Sequence, residues 1–150
     1  MRSLYVWLSR LIALGVVVQV LVIAWSAFDI INKAGDGVPF TEDSEANAGA
    51  VVHSAVGMMV IPVLALLFGI VSFFARVRGG VALAWAVVGL VVLQIALAFA
   101  SFGAPVVGML HALNAFAIAG VAGMAGARAN RPETPVAAAP VGDPGVPAGA

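Results

Sequence analysis

The sequence predicts an all-α membrane protein, a four-transmembrane-helix bundle with up-down-up-down topology. Composition is the first reason, because 63% of the 150 residues are hydrophobic and only 9% are charged, with a mean hydropathy of +1.11. Soluble domains are far less apolar. The second reason is the presence of four apolar stretches, each providing the roughly 20 helical residues that cross a hydrocarbon core. We place these spans at about residues 6–28, 51–75, 81–102 and 106–127, within a transmembrane domain of residues 1–128.

The connections between the spans are short or charged. Arg76, Arg78, Gly79 and Gly80 make a compact basic turn, so the second and third spans form a tight hairpin. Residues 103–105 join the third span to the fourth. Residues 129–150 are rich in proline and alanine, which predicts a disordered tail.

The distribution of charge predicts the orientation. Six arginines flank the spans on one side of the predicted membrane: Arg2, Arg10, Arg76, Arg78, Arg128 and Arg131. The other side holds Lys33 and most of the acidic residues. The positive-inside rule therefore predicts a multi-pass protein of the cell membrane, with both termini and the tail in the cytoplasm.

Composition also excludes several functions. The formal net charge is zero, so no basic field attracts nucleic acid. The chain has no cysteine, which excludes disulfides, iron–sulfur clusters, thiolate metal sites and thioether-attached haem. The lipid bilayer is the partner that this composition requires.

A weak internal repeat relates the two halves of the domain. Residues 16–19 (VVVQ) resemble residues 91–94 (VVLQ), and the second and fourth spans each contain one histidine. The chain therefore reads as two helix pairs, each with a glutamine helix followed by a histidine helix. Two parallel repeats would be related by an axis along the membrane normal.

His53 and His111 are the only histidines, and both lie inside apolar spans. Ionisable residues in a membrane are costly and usually mark function, which makes this pair the main candidate site. Their depth is harder to match. His53 lies 23 residues before Arg76, whereas His111 lies 17 before Arg128, an apparent offset of about 9 Å along a helix.

Small residues flank each histidine on its own helical face. Ala50 and Gly57 lie at i−3 and i+4 from His53, and Gly108 and Ala115 lie at the same spacings from His111. One hypothesis is that these residues leave room for a flat macrocycle. The other is that they only let helix backbones approach closely, as small residues commonly do in membranes.

Two facing imidazoles match the axial ligation of haem, and the ligand pair His53 and His111 predicts a haem of b type. Zinc is disfavoured because it needs three or four ligands. Copper is an alternative, since Met58, Met59 and Met109 lie near the histidines. Those methionines point away from the histidine faces, so we interpret them as core filler.

Gln19 and Gln94 lie deep enough in their spans that their amides need partners. They form either ordinary interhelical hydrogen bonds or bonds to an axial imidazole or a haem edge. Asn114 and Ser54 are lesser candidates for the same role.

The second half also resembles a known family. Residues 92–97 (VLQIAL), a short turn, and residues 110–115 (LHALNA) look like one four-helix half of the haem A synthases, and the arrangement resembles small bis-histidine b-type membrane cytochromes. The resemblance implies that His53 and His111 are axial haem ligands. It implies ligation and fold only, because Ala50 stands where that family's catalytic half has a carboxylate and Ser54 where it has an arginine.

Three functions follow as hypotheses. The first is a haem-binding membrane protein with its site near the outer face, serving electron transfer, haem handling or respiratory-complex assembly, with a membrane redox partner or a second copy of the chain. The second is a cofactor-free scaffold or accessory subunit, whose histidines are hydrogen-bonded to Gln19, Gln94 or backbone carbonyls. The third is a proton-relaying transporter. Whether the protein is an enzyme is left open.

Overall fold

The computed structural model describes residues 1–41 and 43–131, and the regular elements in these ranges are helical. There are four long helices: α1 (Arg2–Gly35), α2 (Ala48–Ser72), α3 (Gly80–Gly103) and α4 (Pro105–Ala129). Each is long and apolar enough to cross a membrane, so the predicted four-helix transmembrane fold is confirmed. Of the tail predicted at residues 129–150, residues 132–150 lie outside the described residues.

The helices form a closed ring. Each packs against its neighbour in the chain, and α4 packs against α1, so α2 lies diagonally opposite α4. At one end, Arg2 Nε donates to the Ala129 carbonyl at 2.8 Å, and Tyr5 Oη donates to the Gly80 carbonyl at 2.9 Å. We call this the terminal end. The opposite end, which holds residues 36–41 and 43–47 and Ala104, is the loop end.

The pattern of burial repeats between α1 and α3. Four buried residues of α1 match four of α3 in order: Tyr5, Ser9, Ile12 and Val16 with Gly80, Ala84, Val87 and Val91. Each pair is separated by the 75 residues that also separate Gln19 from Gln94. The two glutamine helices therefore present the same positions to the interior.

Helices α2 and α4 also share a pattern of buried positions, with one difference. Five buried residues of α2 match five of α4: Ile61, Ala65, Phe68, Gly69 and Ser72 with Ile118, Ala122, Ala125, Gly126 and Ala129. These pairs are 57 residues apart, but His53 and His111 are 58 apart. Helix α2 therefore has one extra residue between its histidine and its core face.

A π-helical turn at Val56–Val60 accommodates that extra residue. A π turn uses one more residue than an α-helical turn, and each residue of an α-helix rotates the chain by 100°. In an uninterrupted α-helix, His53 would point about 80° away from the direction of Ile61, whereas the π turn brings both close to one face. Pro62 lies two residues after this turn and has no backbone N–H, which releases one carbonyl in the turn.

Close packing stops at the level of the histidines. The largest fully buried apolar side chains all lie between that level and the terminal end: Tyr5, Ile12, Phe68, Val87 and Ile118. In the described residues toward the loop end, only Ser26 and Gly49 are buried. A methyl group at position 49 would lie 2.6 Å from the Val22 carbonyl oxygen, so α1 and α2 touch there while the rest of this end stays partly accessible.

Two of the predicted span limits differ from the observed helices. Helix α1 continues to Gly35, and an Asp29–Lys33 ion pair of 2.8 Å lies on its additional turns. Helix α2 ends at Ser72 because residues 73–79 form turns, with Arg76 at φ 53° and Gly79 at φ 70°. Glycine takes this left-handed conformation without steric cost.

The π turn predicts a difference between two single-residue deletions. Deleting the exposed Met59 should convert the π turn to an α turn, keep His53 in phase with Ile61, and preserve the stability of the bundle. Deleting the equally exposed Phe116 should turn His111 out of the interior by about 100°. Because His111 then loses its interhelical hydrogen bonds, this deletion should lower the free energy of unfolding by about 1–2 kcal/mol. Unfolding in mixed micelles measures the change. Equal losses for the two deletions would contradict the role assigned to the π turn.

Candidate functional site

The two histidines face each other across the interior from diagonally opposite helices. The centres of the His53 and His111 rings are 6.3 Å apart, with the ring planes inclined at 57°. The offset that the arginines suggested is absent. His53 lies 19 residues before the end of α2 at Ser72, and His111 lies 18 before the end of α4 at Ala129, because residues 73–76 turn rather than extend the helix.

Each imidazole is held by a backbone carbonyl of the preceding helix. His53 Nδ1 lies 3.3 Å from the Gln19 carbonyl oxygen, and His111 Nδ1 lies 3.1 Å from the Gln94 carbonyl oxygen. A carbonyl only accepts, so Nδ1 donates its proton, and the neutral ring carries a lone pair on Nε2. Metal-binding histidines commonly have this arrangement, in which a carbonyl orients the ring through the nitrogen that does not bind the metal.

The ring separation fits one metal ion between the two imidazoles. Metal–imidazole bonds are about 2.0–2.1 Å long and each ring centre lies roughly 1 Å behind its nitrogen, so two opposed ligands place their ring centres about 6 Å apart. The observed 6.3 Å is close to this value. Within the described residues, neither Nε2 atom has a hydrogen-bond partner.

The protein supplies only two ligands at this site. No group of three or more His, Asp or Glu side chains in the described part of the chain could hold a metal ion. The interpretation of the methionines as core filler is wrong, since Met58, Met59 and Met109 are exposed on the outside of the bundle. A metal at this site would need its other donors from a cofactor.

The glutamine side chains differ between the two halves. Asn114 Nδ2 donates to Gln94 Oε1 at 2.6 Å and to the Leu90 carbonyl at 2.9 Å. Val56 occupies the position of α2 that corresponds to Asn114, three residues after the histidine. The buried Oε1 and Nε2 atoms of Gln19 have no hydrogen-bond partner among the described residues.

The small residues mostly serve contacts within each helix pair. A methyl group at position 57 would lie 3.4 Å from Gln19 Oε1, and one at position 108 would lie 3.8 Å from Ser101 Oγ. The amide of Ala50 donates to Asn47 Oδ1 at 3.0 Å, and Ala115 packs against the buried core. Both distances are ordinary van der Waals contacts with side-chain atoms, so a methyl group would fit at either position. A role of these four residues beside a macrocycle stays a prediction.

Sequence reasoning identified some polar residues of the site and missed others. It named Gln19, Gln94 and backbone carbonyls as partners of the imidazoles, and the main-chain carbonyls of these two glutamines are the groups that hold the rings. Asn114 joins the network, and the exposed Ser54 does not.

Asn47, which the sequence reasoning did not single out, positions the start of α2. It caps the helix through Ala50 and donates to the Ser26 carbonyl at 3.0 Å and to Asp29 Oδ2 at 2.9 Å. Its place directly before an apolar span is a recognisable N-cap signal.

The unpartnered amide of Gln19 predicts opposite effects for two substitutions. In the haem-free protein, Gln19→Leu should raise the free energy of unfolding by about 1–3 kcal/mol, because it removes a buried unsatisfied group. Gln94→Leu should lower it by about 1 kcal/mol, because it removes an interhelical hydrogen bond. Unfolding by SDS in mixed micelles, followed by circular dichroism, measures both. A Gln19→Leu variant as unstable as Gln94→Leu would show that the Gln19 amide is already satisfied.

No family model, curated protein or solved structure matches the chain. What the site can bind is therefore inferred from its own polar groups: two imidazole rings whose centres are 6.3 Å apart between apolar helices, and the buried amide of Gln19 beside them.

Proposed function

We propose that this multi-pass membrane protein binds haem in the manner of a b-type cytochrome, with His53 and His111 as the axial ligands. The observation that carries the proposal is the pair of imidazoles on opposed helices, each oriented by a carbonyl through Nδ1 and each with Nε2 unpartnered among the described residues. The macrocycle of haem supplies four donors to the iron, so two protein ligands are enough to complete the coordination of the metal. Attachment would be non-covalent, because the chain has no cysteine.

The surroundings of the histidines support a bound group. The close-packed core ends at their level, where Gln19 and Gln94 are half-buried, and toward the loop end Ala50 is half-buried as well. A buried polar group without a partner is costly, and Gln19 has such a group beside the site. A ligand or an ordered water that hydrogen-bonds Gln19 would remove this cost.

The roles of the residues suit electron transfer. A bound haem supplies a one-electron couple. His53 and His111 would occupy both axial positions, which leaves no open position for a substrate, and the carbonyls of Gln19 and Gln94 keep both rings in the ligating tautomer. Haem handling or respiratory-complex assembly would use the same two histidine ligands. From the resemblance to haem A synthases we take only the haem ligands and the fold.

The proposed orientation puts the histidines in the outer halves of α2 and α4, five and six residues from the helix starts at Ala48 and Pro105. The arginines gather at the terminal end, while Asp29, Asp36, Asp43 and Glu45 lie toward the loop end, which the positive-inside rule assigns to the outside. Lys33 is already paired with Asp29, so haem propionates at this end would be stabilised mainly by hydration. A redox partner or a second copy would approach from this side or within the membrane.

A cofactor-free scaffold is the second candidate, and the imidazole–carbonyl hydrogen bonds are the observation that favours it. These bonds join α1 to α2 and α3 to α4 without any ligand. The two proposals differ in what Nε2 does: it binds iron in the first and stays unbound in the second.

Absorption spectroscopy separates the two proposals. After expression with ample haem precursor, the detergent-purified protein should show a sharp low-spin α-band in its reduced-minus-oxidised spectrum. His53→Ala and His111→Ala should each abolish that low-spin band, because each removes one axial ligand. Ser54→Ala, beside His53 but exposed, should leave the band unchanged. Featureless spectra from folded, helical wild-type protein would rule out haem binding and leave the scaffold.

A further inference from the structure

The terminal end of the bundle carries a strong positive charge. All six arginines lie at or near this end, and the described acidic residues, Asp29, Asp36, Asp43 and Glu45, lie at the other. Membrane orientation alone accounts for such segregation. It does not account for a groove in which some of these arginines are gathered.

That groove lies between the start of α1 and the end of α4 and has a volume of about 740 Å³. Its lining includes Arg2, Trp7, Arg10, Asn130 and Arg131. The guanidinium of Arg2 joins the two walls, donating to the carbonyls of Ala129 at 2.8 Å and Arg131 at 3.1 Å. The groove is therefore built by contacts between the two helices.

Arg10 is the unusual member of this set. It lies eight residues into an apolar helix and is exposed on its surface, about 12 Å along the axis from Arg2. Its guanidinium lies 5.5 Å from the centre of the Trp7 ring, a cation–π contact that holds it at the side of the groove. No acidic side chain among the described residues pairs with it.

The depth of Arg10 places the groove in the layer of lipid head groups. Between Arg10 and Asp29, helix α1 has 18 predominantly apolar residues, which span about 27 Å and match a hydrocarbon core of about 30 Å. Arg10 thus marks the boundary of the hydrocarbon, and the rest of the groove lies beyond it among lipid phosphates. Tryptophan prefers the same layer.

We propose that this groove binds an anionic phospholipid, with Arg10 and Arg131 contacting its phosphate and Trp7 contacting its head group and glycerol. Arginine suits this role because its planar guanidinium binds phosphate oxygens in pairs. Basic clefts between transmembrane helices recognise lipid head groups on the same principle. The site is independent of the histidines and of whatever they bind.

The fluorescence of Trp7 tests the proposal directly. Trp25→Phe and Trp85→Phe leave Trp7 as the only tryptophan of the full chain. In phosphatidylcholine nanodiscs, a minor fraction of brominated phosphatidylglycerol should quench Trp7 far more than the same fraction of brominated phosphatidylcholine. Arg10→Gln or Arg131→Gln should each reduce that preference about fivefold, the contribution of one basic residue at a membrane surface.

Matched variants distinguish a site from general attraction. Arg78→Gln removes the same charge from the same end but outside the groove, and should leave the preference largely unchanged. Arg10→Lys should keep only part of the preference for phosphatidylglycerol, because lysine lacks the paired donors of arginine. Soluble glycerol phosphate should not reduce the quenching of Trp7 by brominated phosphatidylglycerol, since the ligand is a bilayer lipid.

Two results would overturn the proposal. One is equal quenching by the two brominated lipids in the wild-type background, which requires no arginine variant to fold. The other is an Arg78→Gln effect as large as that of Arg10→Gln, which would mean that the arginines attract lipid only as a diffuse positive surface.

Discussion

The rest of the arrangement depends on two hydrogen bonds between imidazoles and helix carbonyls. A helix carbonyl keeps a free lone pair after accepting its own intrahelical bond, so a neighbouring helix can offer an acceptor wherever the backbones are close. Helices α1 and α2 approach closely at Gly49, where a methyl group would lie 2.6 Å from the Val22 carbonyl oxygen. The carbonyls of Gln19 and Gln94 orient the two rings through Nδ1, which leaves Nε2 of each ring without a partner among the described residues. The tautomer of each histidine and the link between its helix and the preceding helix thus follow from the same hydrogen bond.

The bundle divides into two zones with different physical demands. Between the histidines and the terminal end, the large buried side chains pack against one another, as Phe68 and Tyr5 do with ring centres 4.5 Å apart. This zone carries the tight packing that replaces the hydrophobic effect as the source of stability inside a bilayer. At the level of the histidines, the interior contains polar groups and half-buried residues instead. A ligand bound there would leave the close-packed zone untouched.

The sequence predicted the spans, the hairpin, the helix pairs and the facing histidines, because these follow from apolar length, turn residues and the cost of ionisable groups in lipid. It could not predict which atoms of Gln19 and Gln94 hold the rings, since side-chain amide and main-chain carbonyl occupy the same sequence position. The depth of His53 was misjudged because residues 73–75 look apolar and helical in the sequence, yet turn in the structure. The missing partner of Gln19 depends on Val56, which stands three residues after His53 where Asn114 follows His111. That Asn114 bonds the Gln94 amide, and no residue bonds the Gln19 amide among those described, is visible only in the structure.

The π turn of α2 also bears on how the two helix pairs are related. If both pairs descend from one ancestral pair, the helices of the two copies have kept their interior positions in register except for a single residue between His53 and Ile61. One inserted codon in α2, or one lost from α4, accounts for the difference. The turn at Val56–Val60 would then record where that event occurred, and would show how a bundle can absorb a change in length without moving either its core or its site.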